Sequence, residues 1–349
     1  MLPFNYPPHL AVPGALLAFL PRGVAFYVWD FLQLLLLVPL FRSLRALAPD
    51  PHGLPWAVLC TTVLAFPPLF MSFQMGQVSL LVLICLLGFC RNLMAGRPFW
   101  TAFWLTLGTI KPQLMVAPAA ILLAGRRWRE LGIAAWVALT TAFLGVSCWT
   151  EFLHVLRHSA WQFGVDGIYP RAMYNLKGCL TSLLGEGQAA AINFASTTAL
   201  LLVILATLRM WWGPWRAGTA EFDLRLALAL QLGLIANPHL NPVDVLALVA
   251  PALLFYRGLR RSGRPVRLLT ALLVCVPLLF ALNCYGLTVT AQTGVHPFFL
   301  LMVGMAVVMA LAALPVSDAS QKRPTLLRSV ANRIKIATED APGAPPSLS

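Results

Sequence analysis

Acidic side chains are nearly missing from this sequence. Asp and Glu together number 12 in 349 residues, and charged residues of both signs make up only 11%. A soluble domain carries about 25% charge, so this scarcity excludes a water-exposed surface over most of the chain. Metal-type cysteine spacing is lacking too. The seven cysteines (60, 85, 90, 148, 179, 275 and 284) form no C-x-x-C or Cys–His pattern, and six lie in or beside apolar runs. They read as small hydrophobes, which excludes a disulfide or zinc framework. A Gly-rich phosphate loop, a Ser-His-Asp arrangement and a metal-ligating cluster are likewise absent, so the sequence calls for no metal and no cofactor.

What is there is apolar. Hydrophobic residues reach 59% and the mean hydropathy is +0.78, against an apolar share of about 45 to 50% in soluble domains. The chain reads as an integral membrane protein with an all-α, polytopic fold. The 25 Lys and Arg outnumber the acids, but all except four are Arg, set in short clusters between apolar segments. Such clusters orient a membrane protein, and nucleic acid is not an expected partner.

Eleven apolar runs can be drawn, at about 24–41, 56–71, 78–90, 99–110, 112–124, 131–149, 189–211, 224–236, 243–256, 266–287 and 295–314. A helix needs about 20 residues to cross a bilayer core, so the expectation is about 10–11 transmembrane or partly spanning helices. Alternating crossings put Arg42 and Arg45, Arg91 and Arg97, Arg126, Arg127 and Arg129, Arg209 and Arg216, the Arg257–Arg267 cluster and the tail from Lys322 on one face. The positive-inside rule makes that face cytoplasmic. The outer face then collects "SFQMGQVS" (72–79), "TIKPQ" (109–113), the long segment 150–188, "NPHLNPVD" (237–244) and "TVTAQTG" (288–294), which are polar and poor in Arg. The start of the chain also falls outside, without an export signal. That suggests a missing first helix and makes 10–20 an interfacial or re-entrant helix.

Lys111 is the sharpest anomaly, because it interrupts two apolar runs. A charge at membrane depth costs about 2.5 to 3.5 kcal/mol on insertion scales. It is either a snorkelling lysine at an interface or an anion ligand, a role that suits a compact ammonium. His239, Asn241 and Asp244 crowd within six residues between two runs. They either serve a polar ligand or cap two helix ends. Asp30, about two turns into the first run, is expected to line the bundle interior or pair with a neighbouring helix.

Four stretches, "FNYPPHLAVPGALLAFLPRGVAFYVW" (4–29), "QMGQVSLLVLICLLGFCRN" (74–92), "GTIKPQLMVAPAAILLAGRRWRE" (108–130) and "NPHLNPVDVLALVAPALLF" (237–255), resemble the polyprenyl-phosphate-sugar-dependent glycosyltransferases of the GT-C superfamily. The branch is the α-mannosyltransferase-like family 87, and the resemblance runs from about residue 4 to 315. It implies a GT-C-like domain over 1–315, N-terminally incomplete, while the tail at 316–349 has no apolar run of spanning length and reads as basic, cytoplasmic and disordered. It implies a multi-pass enzyme of the cytoplasmic membrane that moves a hexose, with mannose the expected sugar, from a polyprenyl-phosphate carrier to a glycan or glycolipid acceptor at the outer face. Its partners would be that donor, that acceptor and the lipid bilayer. Lys111, Gln113, Gln77, His239, Asn241, Tyr6 and His9 would bind donor phosphate or sugar. Trp161, Tyr174, Asn175 and Lys177, in a loop that also holds Phe163 and Tyr169, would serve the acceptor. The family's base, an Asp in a first outer loop ahead of "YPP", has no counterpart here. Asp166 and Asp244 are the substitutes to consider, with Glu186 the remaining outer acid. A transporter or flippase of lipid-linked sugar, or a non-catalytic homologue, is the alternative, but a carrier should line a polar path through both halves.

The charge count generates a test. In a background freed of native cysteines, a membrane-impermeant thiol reagent added outside the cell is expected to modify Gln113→Cys and spare Arg127→Cys. The reverse pattern would overturn the orientation.

Overall fold

The computed structural model describes residues 14–48, 56–143, 150, 153, 170–213, 215–263, 290 and 292–313. Among them there are helices and turns and no strand. The chain runs through α1 (Arg22–Leu47), α2 (Trp56–Leu64), α3 (Pro67–Gln74), α4 (Ser79–Met94), α5 (Pro98–Gly108), α6 (Val116–Ala124) and α7 (Trp128–Phe143). It continues through α8 (Leu176–Leu184), α9 (Ala189–Trp211), α10 (Ala220–Ile235), α11 (Val249–Arg261) and α12 (Pro297–Ala313). Short 3-10 turns at Pro112–Leu114 and Pro242–Leu248 lead into α6 and α11.

Three stretches of the described chain are long and apolar enough to cross a membrane: Arg22–Leu47, Glu186–Trp211 and Pro242–Arg261. The pair α2 and α3 makes a fourth if its 47° bend is counted as one broken span. That bend follows from Pro67, which opens α3 and holds Phe66 extended before it. The run at 266–287 and the tail from 316 lie outside the described residues.

Burial sorts these helices into rim and centre. α1 buries Gln33, Leu40, Ser43, Leu44 and Leu47 and turns Phe31, Leu34, Leu35 and Val38 outward. α9 exposes Phe194, Leu201, Leu202 and Leu205 in the same way. Apolar side chains in this arrangement suit contact with lipid. α4 is the opposite case: every residue from Val82 to Cys90 is buried, as expected of a helix apolar on all sides at the centre of a bundle. α5 packs closely on it. A Cβ at Gly88 would stand 2.5 Å from the Trp104 indole, so the absence of a side chain at Gly88 sets how near the two helices come.

The hydrogen bonds show that the loops grouped by arginine spacing do share an end. At the Arg-poor end, Trp29 Nε1 donates to the Gly76 carbonyl at 2.9 Å, Tyr174 N donates to the Leu240 carbonyl at 3.0 Å, and Ser182 Oγ meets His296 Nε2 at 2.8 Å. At the other end, buried Asp223 in the first turn of α10 receives Arg257 Nε at 3.0 Å and Arg261 at 2.9 Å from the last turns of α11. α4, α6, α9 and α11 run toward the arginine end, while α5 and α10 run back.

Candidate functional site

The opening residue of α4, the break between α5 and α6, and the 3-10 turn before α11 converge on one buried polar cluster. Lys111 Nζ forms an ion pair with Asp244 Oδ1. Ser79 Oγ donates to the same carboxylate oxygen at 2.7 Å and accepts from Lys111 Nζ at 3.2 Å. Lys111 is 5% exposed, Ser79 2% and Asp244 1%.

Local sequence explains each placement. α5 has only 11 residues, a rise of roughly 17 Å at about 1.5 Å per residue, well short of a hydrocarbon core of about 30 Å. Pro112 cannot continue the helix and starts a 3-10 turn with Lys111 at its boundary. Lys111 therefore stops inside the apolar depth of the bundle, where a snorkelling side chain would instead have reached a surface. Asp244 lies in the first turn of Pro242–Leu248, and the boundary residue Asn241 makes no side-chain cap. The Asp244 carboxylate reaches across the bundle to partners 165 and 133 residues away in sequence, so it does not cap its own helix.

His239 stands beside this cluster, mostly buried. Burial foremost, then the Lys177 charge, push its imidazole down to about 4 from an ordinary 6.5, and the Asp244 charge opposes them only in part. It is neutral at pH 7. Lys177 is itself lowered by burial. The Lys177 and Asp244 charges thus act on His239 in opposite directions.

The remaining expected residues divide. Gln77 is half-buried, and its carbonyl accepts from Ser72 Oγ at 2.9 Å. The same carbonyl takes the Gln33 amide at 2.8 Å once that amide is turned to accept from Trp29 Nε1 at 3.1 Å. Gln113 is half-buried and Asn241 exposed. Asn175 is fully buried: it caps α8 by accepting from Gly178 N at 2.7 Å and donates to the Asn237 carbonyl at 2.7 Å. Tyr174 is buried against Phe298, with ring centroids 5.4 Å apart. These two residues tie α8 to the 237–241 loop. Asp30 is partly buried near Gln33, and Glu186 pairs with Arg171 at 3.4 Å on the surface. Tyr6, His9, Trp161, Phe163, Asp166 and Tyr169 lie outside the described residues.

Ser79 and His296 were missed by sequence reasoning. Ser79 had a weak signal, as the last residue of the polar "SFQMGQVS" loop at a helix start. His296 had none, since its partner Ser182 is 114 residues away. Among the described residues no group of His, Cys, Asp and Glu could hold a metal ion.

Long helices with exposed apolar faces, packed around buried polar clusters, define an all-helical membrane protein. The chain belongs to glycosyltransferase family 87, whose family model matches residues 4–238. Membership makes it a glycosyltransferase, with a sugar donor and an acceptor as its substrates. The matched span contains Ser79 and Lys111 and stops just before His239 and Asp244. Neither the curated proteins nor the solved structures searched gave a match.

Two outcomes are expected. Removing one member of a buried ion pair strands the other at a cost of about 3 to 5 kcal/mol, whereas replacing both by apolar residues can be neutral. Asp244→Ala should therefore lower the thermal midpoint of the detergent-solubilised protein much more than Lys111→Met/Asp244→Leu does; equal losses would mean the pair is not coupled. For His239, a depressed folded pKa contributes stability that is present above 6.5 and lost as pH falls toward about 4. His239→Gln should flatten that part of the stability profile, and an unchanged slope would assign it to other groups.

Proposed function

We infer that the chain transfers a hexose, with mannose the expected sugar, from a polyprenyl-phosphate carrier to a glycan or glycolipid hydroxyl at the outer face of the cytoplasmic membrane. The observation that carries this reading is the Lys111–Asp244–Ser79 cluster, sunk in the apolar bundle at the end where the polar loops meet. A buried ion pair is weak evidence for stability, so its place in so apolar a bundle calls for a polar ligand.

Lys111 is the donor-phosphate ligand, and Asp244 and Ser79 hold its ammonium in place. In the reaction the bond from the sugar's anomeric carbon to the phosphate oxygen breaks, and its electron pair leaves with the polyprenyl phosphate. The acceptor oxygen bonds to that carbon and gives up its proton. Charge accumulates on the departing phosphate, and a preorganised cation in a water-poor site favours that charge more than it would in water. This assigns Asp244 to orienting Lys111 and leaves acceptor deprotonation to a different group. Gln77, Gln113 and Asn241, in the loops around the cluster, would contact sugar hydroxyls.

An apolar groove adds support for a lipid carrier. It is lined by Leu59, Phe66, Leu248, Tyr256, Phe298 and Met302 among others. Leu248 lies about one helical turn beyond Asp244, so a prenyl chain could follow the groove with its phosphate at Lys111.

The test is sugar transfer and donor binding by the purified chain with a polyprenyl-phosphate-mannose donor. Lys111→Ala is expected to weaken donor binding by about 1.5 to 3 kcal/mol, the worth of a hydrogen bond to a charged group, and Lys111→Arg to retain part of it. Wild-type affinity in a folded Lys111→Ala protein would remove the lysine from the site.

A further inference from the structure

At the end of the bundle opposite the proposed sugar site, two arginines on the turn after α6 are each held against a tryptophan. Arg126 lies over the Trp212 ring and Arg127 over the Trp215 ring, each 5.3 Å from the ring centre. Trp215 is locked in turn by Trp211 and Phe222, with centroids 5.1 Å away in both cases. The guanidiniums are thus positioned by aromatic surfaces. Glu130 meets Arg127 through Nε at 2.9 Å. Arg97, Arg129 and Arg216 belong to turns and helix starts at this same end, so the region stays strongly positive.

Beside Arg127 and Trp215 lies a cleft of about 470 Å³, lined by those two residues with Leu93, Gly96, Gly125 and Gly213 among others, and the exposed Arg126 stands next to this lining in sequence. At about 30 Å³ per water it has room for a polar headgroup. Gly125 is required: a Cβ there would stand 2.6 Å from Trp215 Nε1. The backbone of Arg126 is left-handed, with φ at 52°. That conformation closes α6 as a helix cap: Arg126 N donates to the Leu123 carbonyl at 3.1 Å and Arg127 N to the Leu122 carbonyl at 2.9 Å, which fixes where the two arginines leave the helix.

We propose that this cleft binds the phosphate headgroup of an anionic phospholipid of the inner leaflet. Charge complementarity supplies the first reason, since basic pockets between helices at the cytoplasmic side hold such headgroups. The surroundings favour a lipid over a free anion. Leu123, Trp128 and Trp212 are exposed directly beside the two arginines, and α9 carries exposed Leu201, Leu202 and Leu205 away from the cleft along its length. A ligand with a phosphate head and acyl chains matches both surfaces, whereas inorganic phosphate or a sugar phosphate matches only the first. This site is independent of the proposed transfer reaction.

The full chain, purified in a neutral detergent, is titrated with phosphatidylglycerol and with phosphatidylcholine, and bound lipid is counted by native mass spectrometry. A basic residue near an anionic lipid is worth about 1 kcal/mol, or about fivefold in affinity. Arg126→Gln/Arg127→Gln should therefore bind phosphatidylglycerol on the order of 25-fold more weakly, while Arg260→Gln, an exposed arginine at the same end, should change little. If the double variant does not fold, Arg127→Gln alone, which removes the arginine that lines the cleft, should lose about fivefold. Equal affinity for the two lipids would overturn the proposal, as would wild-type affinity in the folded variants. Displacement of the phosphatidylglycerol by equimolar glycerol 3-phosphate would also overturn it, by making the cleft a site for free anions.

Discussion

The ion pair between Lys111 and Asp244 is the constraint on which the polar end of this molecule depends. Each charge alone would be expensive at that depth: desolvation costs several kcal/mol per ion, and only close pairing with further hydrogen bonds recovers it. Ser79 supplies the further hydrogen bonds, giving one to the carboxylate and taking one from the ammonium. The first turn of α4, the break between α5 and α6, and the turn ahead of α11 must meet for the cluster to close. Three segments distant in sequence are thereby fixed to one another at the place where the bundle is otherwise apolar.

The rest of the architecture serves that meeting. α4 is buried nearly throughout, so Ser79 stands on an element with little freedom to move. α10 and α11, packed side by side, are clamped at the arginine end by Asp223 between Arg257 and Arg261, and their other ends carry Asn237, His239 and Asp244. α8 joins the same region through Asn175 and the Tyr174–Leu240 bond. α1 and α9 contribute less to the centre and present apolar surface outward. A rigid interior with an apolar rim suits a glycosyltransferase set among membrane helices.

Family membership and the cluster bear on each other. The family match reaches residue 238 and so takes in the lysine and the serine, while the carboxylate that balances them comes from the next few residues. A lone lysine inside the span would look like an open anion site. With Asp244 in place it is instead an oriented ion pair. The alternative of a carrier is not favoured by this distribution: at the opposite end Asp223, Arg257 and Arg261 are engaged in structural ion pairs and Arg126 and Arg127 in stacks on tryptophan, which do not continue the polar path.

Much was legible in the sequence because hydropathy and charge act locally. The helical class and the division of loops into two ends followed from apolar runs and arginine spacing, since a membrane imposes both on any chain that crosses it. The anomaly at Lys111 was visible for the same reason: one charge among apolar neighbours stands out whatever surrounds it in space. What Lys111 touches was not visible. Asp244 is 133 residues away, and nothing in either local pattern distinguishes a carboxylate that caps its own turn from one that crosses the bundle. Asn175 and Tyr174 looked like ligand-facing loop residues because they are polar and aromatic in a polar segment, yet packing buries both, and Asn175 spends its amide on backbone groups. Sequence alone determined which residues could not rest in an apolar interior unaided; only the tertiary structure decided which partners relieve them, because pairing depends on how helices pack and not on their spacing along the chain.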